Sequence, residues 1–350
     1  MVLADLDTGR ILWALDARER RPIASITKIM TALIVIQRTD PWDVVTVSAK
    51  ATVPGPSGVS ELGLVSGEQI SIGDLLYALL LQSANDAAVA LAEHVAGSVE
   101  EFVDEMNAEA RRLHLSDTRF ASPNGLDDTG YSSARDLAVL TREAFESPLF
   151  ASIVRTKFHR IPSPSGRPRM IQNRNVLLWL YPGAVGVKTG FTTPAGFCVV
   201  AAATRDGLRL VVVILGEPGE PFSDAAAVLD YGFGSFEWRE LVADGQGFGS
   251  IAIGERDVPV SAGRGLTGLV PVGAQIHRVV TMLPDVAFPP AMGERVGYVK
   301  VSAPDLPLGR VPLVVSALPG PPPAEPGPWW RRAASAVVQS VSSVLSSLFG

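Results

Sequence analysis

The chain has 350 residues, 47% of them hydrophobic, enough for one large core and a second, smaller domain. A formal net charge of −6 and the absence of any Lys/Arg run exclude a general nucleic-acid backbone binder. Cys198 is the single cysteine, so no intrachain disulfide forms; in the apolar run Phe197-Cys198-Val199-Val200 it reads as a small buried hydrophobe.

The N-terminus, Met1-Val2-Leu3-Ala4-Asp5-Leu6, is already strand-like and lacks the basic start and cleavage site of a secretory signal. Residues 3–15 read as a hairpin turning at Asp7-Thr8-Gly9. A helix is expected from Ser25, with Ile26, Ile29, Met30, Leu33, Ile34 and Ile36 on its apolar side. A second is expected over about 73–96, capped by Asp74 and ended by Gly97. Residues 100–114 and 133–146 follow as further helices.

The period changes at 185–216, where Val185–Gly190, Phe197–Thr204 and Leu208–Leu215 predict three adjacent antiparallel strands. Helices between β segments imply an α+β domain over 1–239, helices packed on an antiparallel sheet. Short Val-rich runs broken by Gly and Pro predict a small all-β domain, sandwich or barrel, over 240–317. Residues 318–328 form a Pro-rich linker. In 329–350, Val337, Val338, Val341, Val344, Leu345, Leu348 and Phe349 oppose a Ser-rich face, after Trp329-Trp330-Arg331-Arg332. That is an amphipathic helix suited to a membrane interface; docking on protein is the alternative. No run of eighteen apolar residues predicts a spanning helix.

Three short motifs carry chemistry. In Ser25-Ile26-Thr27-Lys28, a helical start puts the Lys amine within reach of the Ser hydroxyl, and a neutral amine can take its proton. Arg cannot substitute, because it stays protonated. Ser83-Ala84-Asn85 by itself is also a plain helix-to-loop turn. Lys188-Thr189-Gly190 is a strand with a hydroxyl, an open edge and a glycine that allows close backbone approach; alone, it is equally an exposed strand end. Together, in the order S-x-x-K, S-x-N, K-T-G, they form the motif set of serine β-lactamases and penicillin-binding proteins. Composition adds to this: the chain holds twenty-five Arg and only five Lys, yet both key cations are Lys.

The chain resembles the low-molecular-weight D-alanyl-D-alanine carboxypeptidases of the penicillin-binding protein superfamily, from about residue 3 to 317. Besides the motifs, the similar stretches include Pro22 to Ala32, Asp74 to Ala88, Pro123-Asn124-Gly125-Leu126-Asp127, Tyr131 to Asp136, and Lys188 to Thr192. The resemblance implies a β-lactamase/transpeptidase-like fold and removal of the terminal D-Ala from peptidoglycan stem peptides through a Ser25 acyl-enzyme. It implies that Lys28 accepts the Ser25 proton, Ser83 relays a proton to the leaving amine, and Asn85 orients Lys28 and the substrate amide. Lys188 would keep Lys28 neutral and Thr189 would bind the substrate carboxylate. Next to Gly190, the N–H of Phe191 would share the oxyanion hole with that of Ser25. β-Lactams would acylate Ser25, and no metal or organic cofactor is expected. The implied location is extracytoplasmic and membrane-associated, so a leader would be missing from this sequence. One departure stands out: relatives often carry a cation before the helix after the last long strand, but Glu217-Pro218-Gly219-Glu220-Pro221-Phe222 has none. That leaves D,D-endopeptidase activity open beside carboxypeptidase. A β-lactamase on the same fold would need a water-activating Glu, and Glu143 and Glu146 fall on a helical pattern. From a different class comes a non-catalytic, membrane-attached scaffold, against which the intact motif residues argue.

Overall fold

The computed structural model describes residues 1–318 except 54, 56, 57, 254, 255, 285, 287, 288 and 305. The expected linker beyond Leu318 and the amphipathic segment 329–350 lie outside the described residues. The chain divides into two compact units, Met1–Glu237 and Trp238–Gly350.

In the first unit, β1 (Val2–Asp5) and β2 (Ile11–Ala14) precede a 3₁₀ turn, Ala24–Thr27, that runs directly into α1 (Lys28–Arg38). Then come β3 (Val44–Thr46), β4 (Gln69–Ser71), α2 (Ile72–Tyr77), a π turn at Ala78–Gln82, α3 (Asn85–Ala96) and α4 (Val99–Arg112). Next are α5 (Ala134–Phe145), α6 (Pro148–Val154), a hairpin of β5 (Phe158–Ile161) and β6 (Arg169–Gln172), and the short α7 (Leu177–Leu180). The unit closes with β7 (Ala184–Thr192), β8 (Gly196–Arg205), β9 (Leu208–Glu217) and α8 (Pro221–Ser235).

The N-terminal hairpin and the three late strands make one antiparallel sheet in the order β2-β1-β9-β8-β7. Both faces are covered, which is why β9 is apolar almost without alternation. Val211 and Val213 join the helical core, whereas Leu3 and Leu210 face α8. There Gly232 lets α8 sit close: a Cβ on it would lie 2.6 Å from Leu210 Cδ1. The α+β expectation holds.

Two sequence expectations need correction. The helix of 73–96 is not continuous: Ser83 turns left-handed at φ 67° and separates the π turn from α3. Its start is capped by Ser71, whose side chain accepts from the Asp74 N–H at 3.1 Å, while Asp74 instead meets His159 Nε2 at 2.9 Å.

The second unit contains β10 (Phe236–Val242, which begins at the unit boundary), β11 (Gly247–Ile253), β12 (Arg256–Ala262), β13 (Leu266–Pro271), β14 (His277–Met282), β15 (Arg295–Ala303) and β16 (Leu306–Val315). A five-stranded antiparallel sheet, β11-β12-β16-β15-β14, and the pair β10-β13 enclose a core of Leu241, Val270, Val258, Val260, Val299, Val311 and Leu313. This is a small sandwich. Among the described residues no helix is long and apolar enough to cross a membrane.

Candidate active site

Ser25 and Lys28 meet because the 3₁₀ turn and the first residue of α1 bring positions i and i+3 to one side. Glycines allow two segments to close on that turn. A Cβ on Gly125, at φ 80°, would stand 1.9 Å from Ala24 O; one on Gly190 would stand 3.0 Å from Ser25 N. The loop before α5 and strand β7 therefore clamp the Ser25 turn from two sides.

Lys28 is fully buried, and its Nζ has three neighbours: Ser25 Oγ at 2.9 Å, Asn85 Oδ1 at 2.8 Å and the Asn124 carbonyl oxygen at 2.7 Å. Two of these can only accept. A neutral amine donates its two hydrogens to them and turns its lone pair to the Ser25 hydroxyl. The surroundings favour that form. Burial lowers the Lys28 pKa well below that of a free lysine, Lys188 and Arg174 lower it further, and Asp86 opposes them.

Lys188 is also buried, its Nζ donating to Thr189 O at 2.8 Å. Burial, and next the charge of Arg174, push its pKa down to about 7. Ser83 comes from the break between the π turn and α3, and its Oγ is buried without a hydrogen-bond partner. Such an atom costs free energy unless a ligand or solvent satisfies it. Asn85 is fixed from behind: its N–H donates to Ser60 O at 2.8 Å, and Ser60 Oγ donates to Gln82 O at 2.6 Å. Asp86 holds the 62–64 loop through the N–H groups of Leu62, Gly63 and Leu64.

One cleft of about 620 Å³ gathers Ser25, Ser83, Asn85, Thr189, Gly190 and Phe191. Lys28 and Lys188 lie beneath it. Phe191 is exposed and packs on Phe197, ring centroids 4.6 Å apart, giving the cleft an aromatic wall.

Two contributors carry no signature in the sequence. Asn124 acts through a backbone carbonyl. Arg174 lines the cleft from the loop after β6, between the buried Asn173 and Asn175; Asn173 Nδ2 donates to Val154 O and Thr156 O, both at 3.0 Å. The Arg174 N–H donates to Leu81 O, and Arg169 grips Glu68 at 2.6 Å, so the hairpin beneath it is tied down.

Cys198 is buried, with its pKa raised by burial to about 11. Glu143 pairs with Arg112 at 2.6 Å on the helical surface. Asp128 is the carboxylate among the cleft-lining residues, and it accepts from Thr192 Oγ1 at 3.1 Å. No group of three or more His, Cys, Asp or Glu side chains among the described residues is arranged to hold a metal ion.

The sequence model of peptidase family S11, described as D-alanyl-D-alanine carboxypeptidase, matches residues 1–219. The chain is 34% identical over 260 residues to D-alanyl-D-alanine carboxypeptidase DacF of Bacillus subtilis, a match covering 72% of this chain and 66% of that protein. With DacC of Escherichia coli it shares 38% over 252 residues, covering 67% of this chain and 61% of the relative. The chain thus spans somewhat less than two thirds of the length of these relatives. Among solved structures, penicillin binding protein 6B from Escherichia coli superposes with a TM-score of 0.72 at 32% identity, covering 90% of this chain and 94% of that one.

Proposed function

This chain belongs to the D-alanyl-D-alanine carboxypeptidase family, peptidase S11, and from that premise we propose that it releases the terminal D-Ala of peptidoglycan stem peptides through a Ser25 ester. The observation that carries this reading is the buried Lys28 amine, with two carbonyl acceptors and the Ser25 hydroxyl as its neighbours.

In this reading Lys28 Nζ takes the proton as Ser25 Oγ bonds to the carbonyl carbon of the penultimate D-Ala. The N–H groups of Ser25 and Phe191 hold the oxyanion; the close approach that Gly190 permits supports that pairing. Ser83, with its unpartnered hydroxyl, passes a proton to the departing amine, the C–N bond breaks, and D-Ala leaves. Water then cleaves the ester and returns the proton to Ser25. Lys188 keeps Lys28 neutral, Asn85 orients it, and Thr189 receives the substrate carboxylate. Arg174 supplies the cation missing from 217–222, which favours a free terminal carboxylate over an internal crosslink. β-Lactams acylate the same serine.

Such a substrate lies outside the cytoplasm, and the chain acts there with residues 329–350 lying on the membrane. The test is product analysis with a pentapeptide ending in D-Ala-D-Ala. Stoichiometric free D-alanine is expected, and Ser25→Ala should abolish both this and labelling by a fluorescent penicillin. Cleavage of crosslinked dimers without release of D-alanine would assign the chain to endopeptidases. Rapid turnover of a chromogenic cephalosporin would make it a β-lactamase.

A further inference from the structure

The β-rich unit carries a second cleft, of about 420 Å³, lined chiefly by Arg264, Leu283, Arg295, Tyr298, Arg310 and Pro312. Strand register builds it. Directly opposed residues share a face, so Thr281, Tyr298 and Pro312 form one cross-strand row and Val279, Lys300 and Arg310 another. Val299 and Val311, between these rows, are buried in the core, which leaves both rows facing outward. Gly297 gives the floor: a Cβ there would stand 2.4 Å from Thr281 O. Arg264 arrives from a turn whose Gly263 N–H donates to Pro312 O at 2.8 Å.

Among the described residues no carboxylate neutralises the cations of this face. Lys300 and Arg310 stand directly opposite one another, an unfavourable like-charge pair, each about 5.7 and 5.6 Å from the centre of the Tyr298 ring. Among the described residues, Arg264, Arg295, Lys300 and Arg310 make no ion pair, whereas Arg18, Arg112, Arg169 and Arg209 of the first unit each hold a carboxylate.

Aliphatic side chains lie exposed beside these cations. Val279, directly opposite Lys300 on the edge strand β14, is 57% exposed, and Leu283 lines the cleft among the arginines. Cations alone would suit any soluble anion. Cations interleaved with bare aliphatic groups suit a lipid–water interface, where guanidinium meets phosphate and the aliphatic groups enter the acyl boundary. The amphipathic segment also lies near in the chain: the eleven residues 318–328 span no more than about 40 Å.

We propose that this face of the β-rich unit binds the phosphate headgroups of an anionic phospholipid surface, through Arg264, Arg295, Lys300 and Arg310 around Tyr298. Lipid binding here is independent of whether Ser25 is catalytic. The full chain and its R264Q/R295Q/R310Q variant are compared by flotation on phosphatidylcholine vesicles with and without phosphatidylglycerol. The parent should prefer the anionic vesicles and lose that preference in high salt. The variant should bind them on the order of 100-fold more weakly, about fivefold per cation removed, with binding to pure phosphatidylcholine unchanged. A parent without anionic preference overturns the proposal whether or not the variant folds, and so does a folded variant that keeps the preference. Loss of binding to soluble polyglycerol phosphate alone, vesicle binding being intact, would assign the face to a polymer instead. A parent that sediments as a dimer while the variant is monomeric would assign it to a second copy joined along β14.

Discussion

Lys28 and Lys188 are two amines buried under one cleft, and Lys188 disfavours a proton on Lys28 only while it is itself charged. With a pKa near 7, Lys188 is partly charged at neutral pH, and its charge ranks second only to burial in depressing Lys28. Replacing it by the uncharged Lys188→Met removes that field. The Lys28 pKa then rises, and the acidic limb of the acylation profile moves to higher pH, as read from fluorescent-penicillin rates between about pH 5 and 10. An unmoved limb, whatever the loss in amplitude, would show that Lys188 does not act on Lys28 through charge. Stability follows the same sign. The folded state holds the Lys188 proton less tightly than the unfolded chain, whose lysine titrates near 10.5. Its contribution is therefore fully present above about pH 10.5 and is lost as pH falls through about 7. At this scale the sequence revealed most of what gathers in the cleft, because Ser, Lys, Asn and Thr are the residue types that chemistry needs and they recur at recognisable spacing. Asn124 escaped because a backbone carbonyl has no side-chain signature. Arg174 escaped because it is one arginine in twenty-five, placed by the fold and not by a motif.

The elements that shape the cleft are mostly breaks and close approaches, and these are what periodicity reads least well. The apolar residues on both sides of Ser83 predict one helix over 73–96; the left-handed turn at Ser83, followed by the Asn85 N–H bonded to Ser60 O, is a tertiary feature that the periodicity does not carry. Strands β8 and β9 were legible because a doubly covered strand is apolar almost throughout, whereas the pairing of β1 with β9 joins residues about 200 positions apart and leaves no local trace. The β5–β6 hairpin, with its exposed Phe158 and Met170, carried no clear alternation. Gly190 tests the importance of close approach. It has no left-handed φ, so Gly190→Ala adds no backbone strain, yet its Cβ would lie 3.0–3.2 Å from Ser25 N, Ile23 O and Ile26 N. The turn and β7 must separate by a few tenths of an ångström. Acylation should fall by about 10- to 100-fold, with the melting temperature nearly unchanged. A variant that melts early but acylates at the parental rate would reduce Gly190 to a packing residue.

On the proposed readings, chemistry and membrane attachment fall on different parts of the chain. The residues of the Ser25 cleft all precede the unit boundary at Glu237, the cationic face proposed to bind lipid lies between 264 and 310, and the amphipathic segment begins at 329. Two such weak membrane contacts joined by a short linker would reinforce one another, because the first raises the local concentration of the second. Deleting residues 329–350 should therefore leave hydrolysis of a soluble pentapeptide within about twofold of the parent, since no cleft residue is touched. Binding to zwitterionic vesicles, which the apolar face of the segment would supply alone, should disappear. Binding to phosphatidylglycerol vesicles should weaken by about 10²- to 10⁴-fold and still depend on salt, because Arg264, Arg295 and Arg310 remain. Flotation of the shortened chain on both vesicle types measures each contribution separately, and zwitterionic binding that survives the deletion would remove the amphipathic segment from the account.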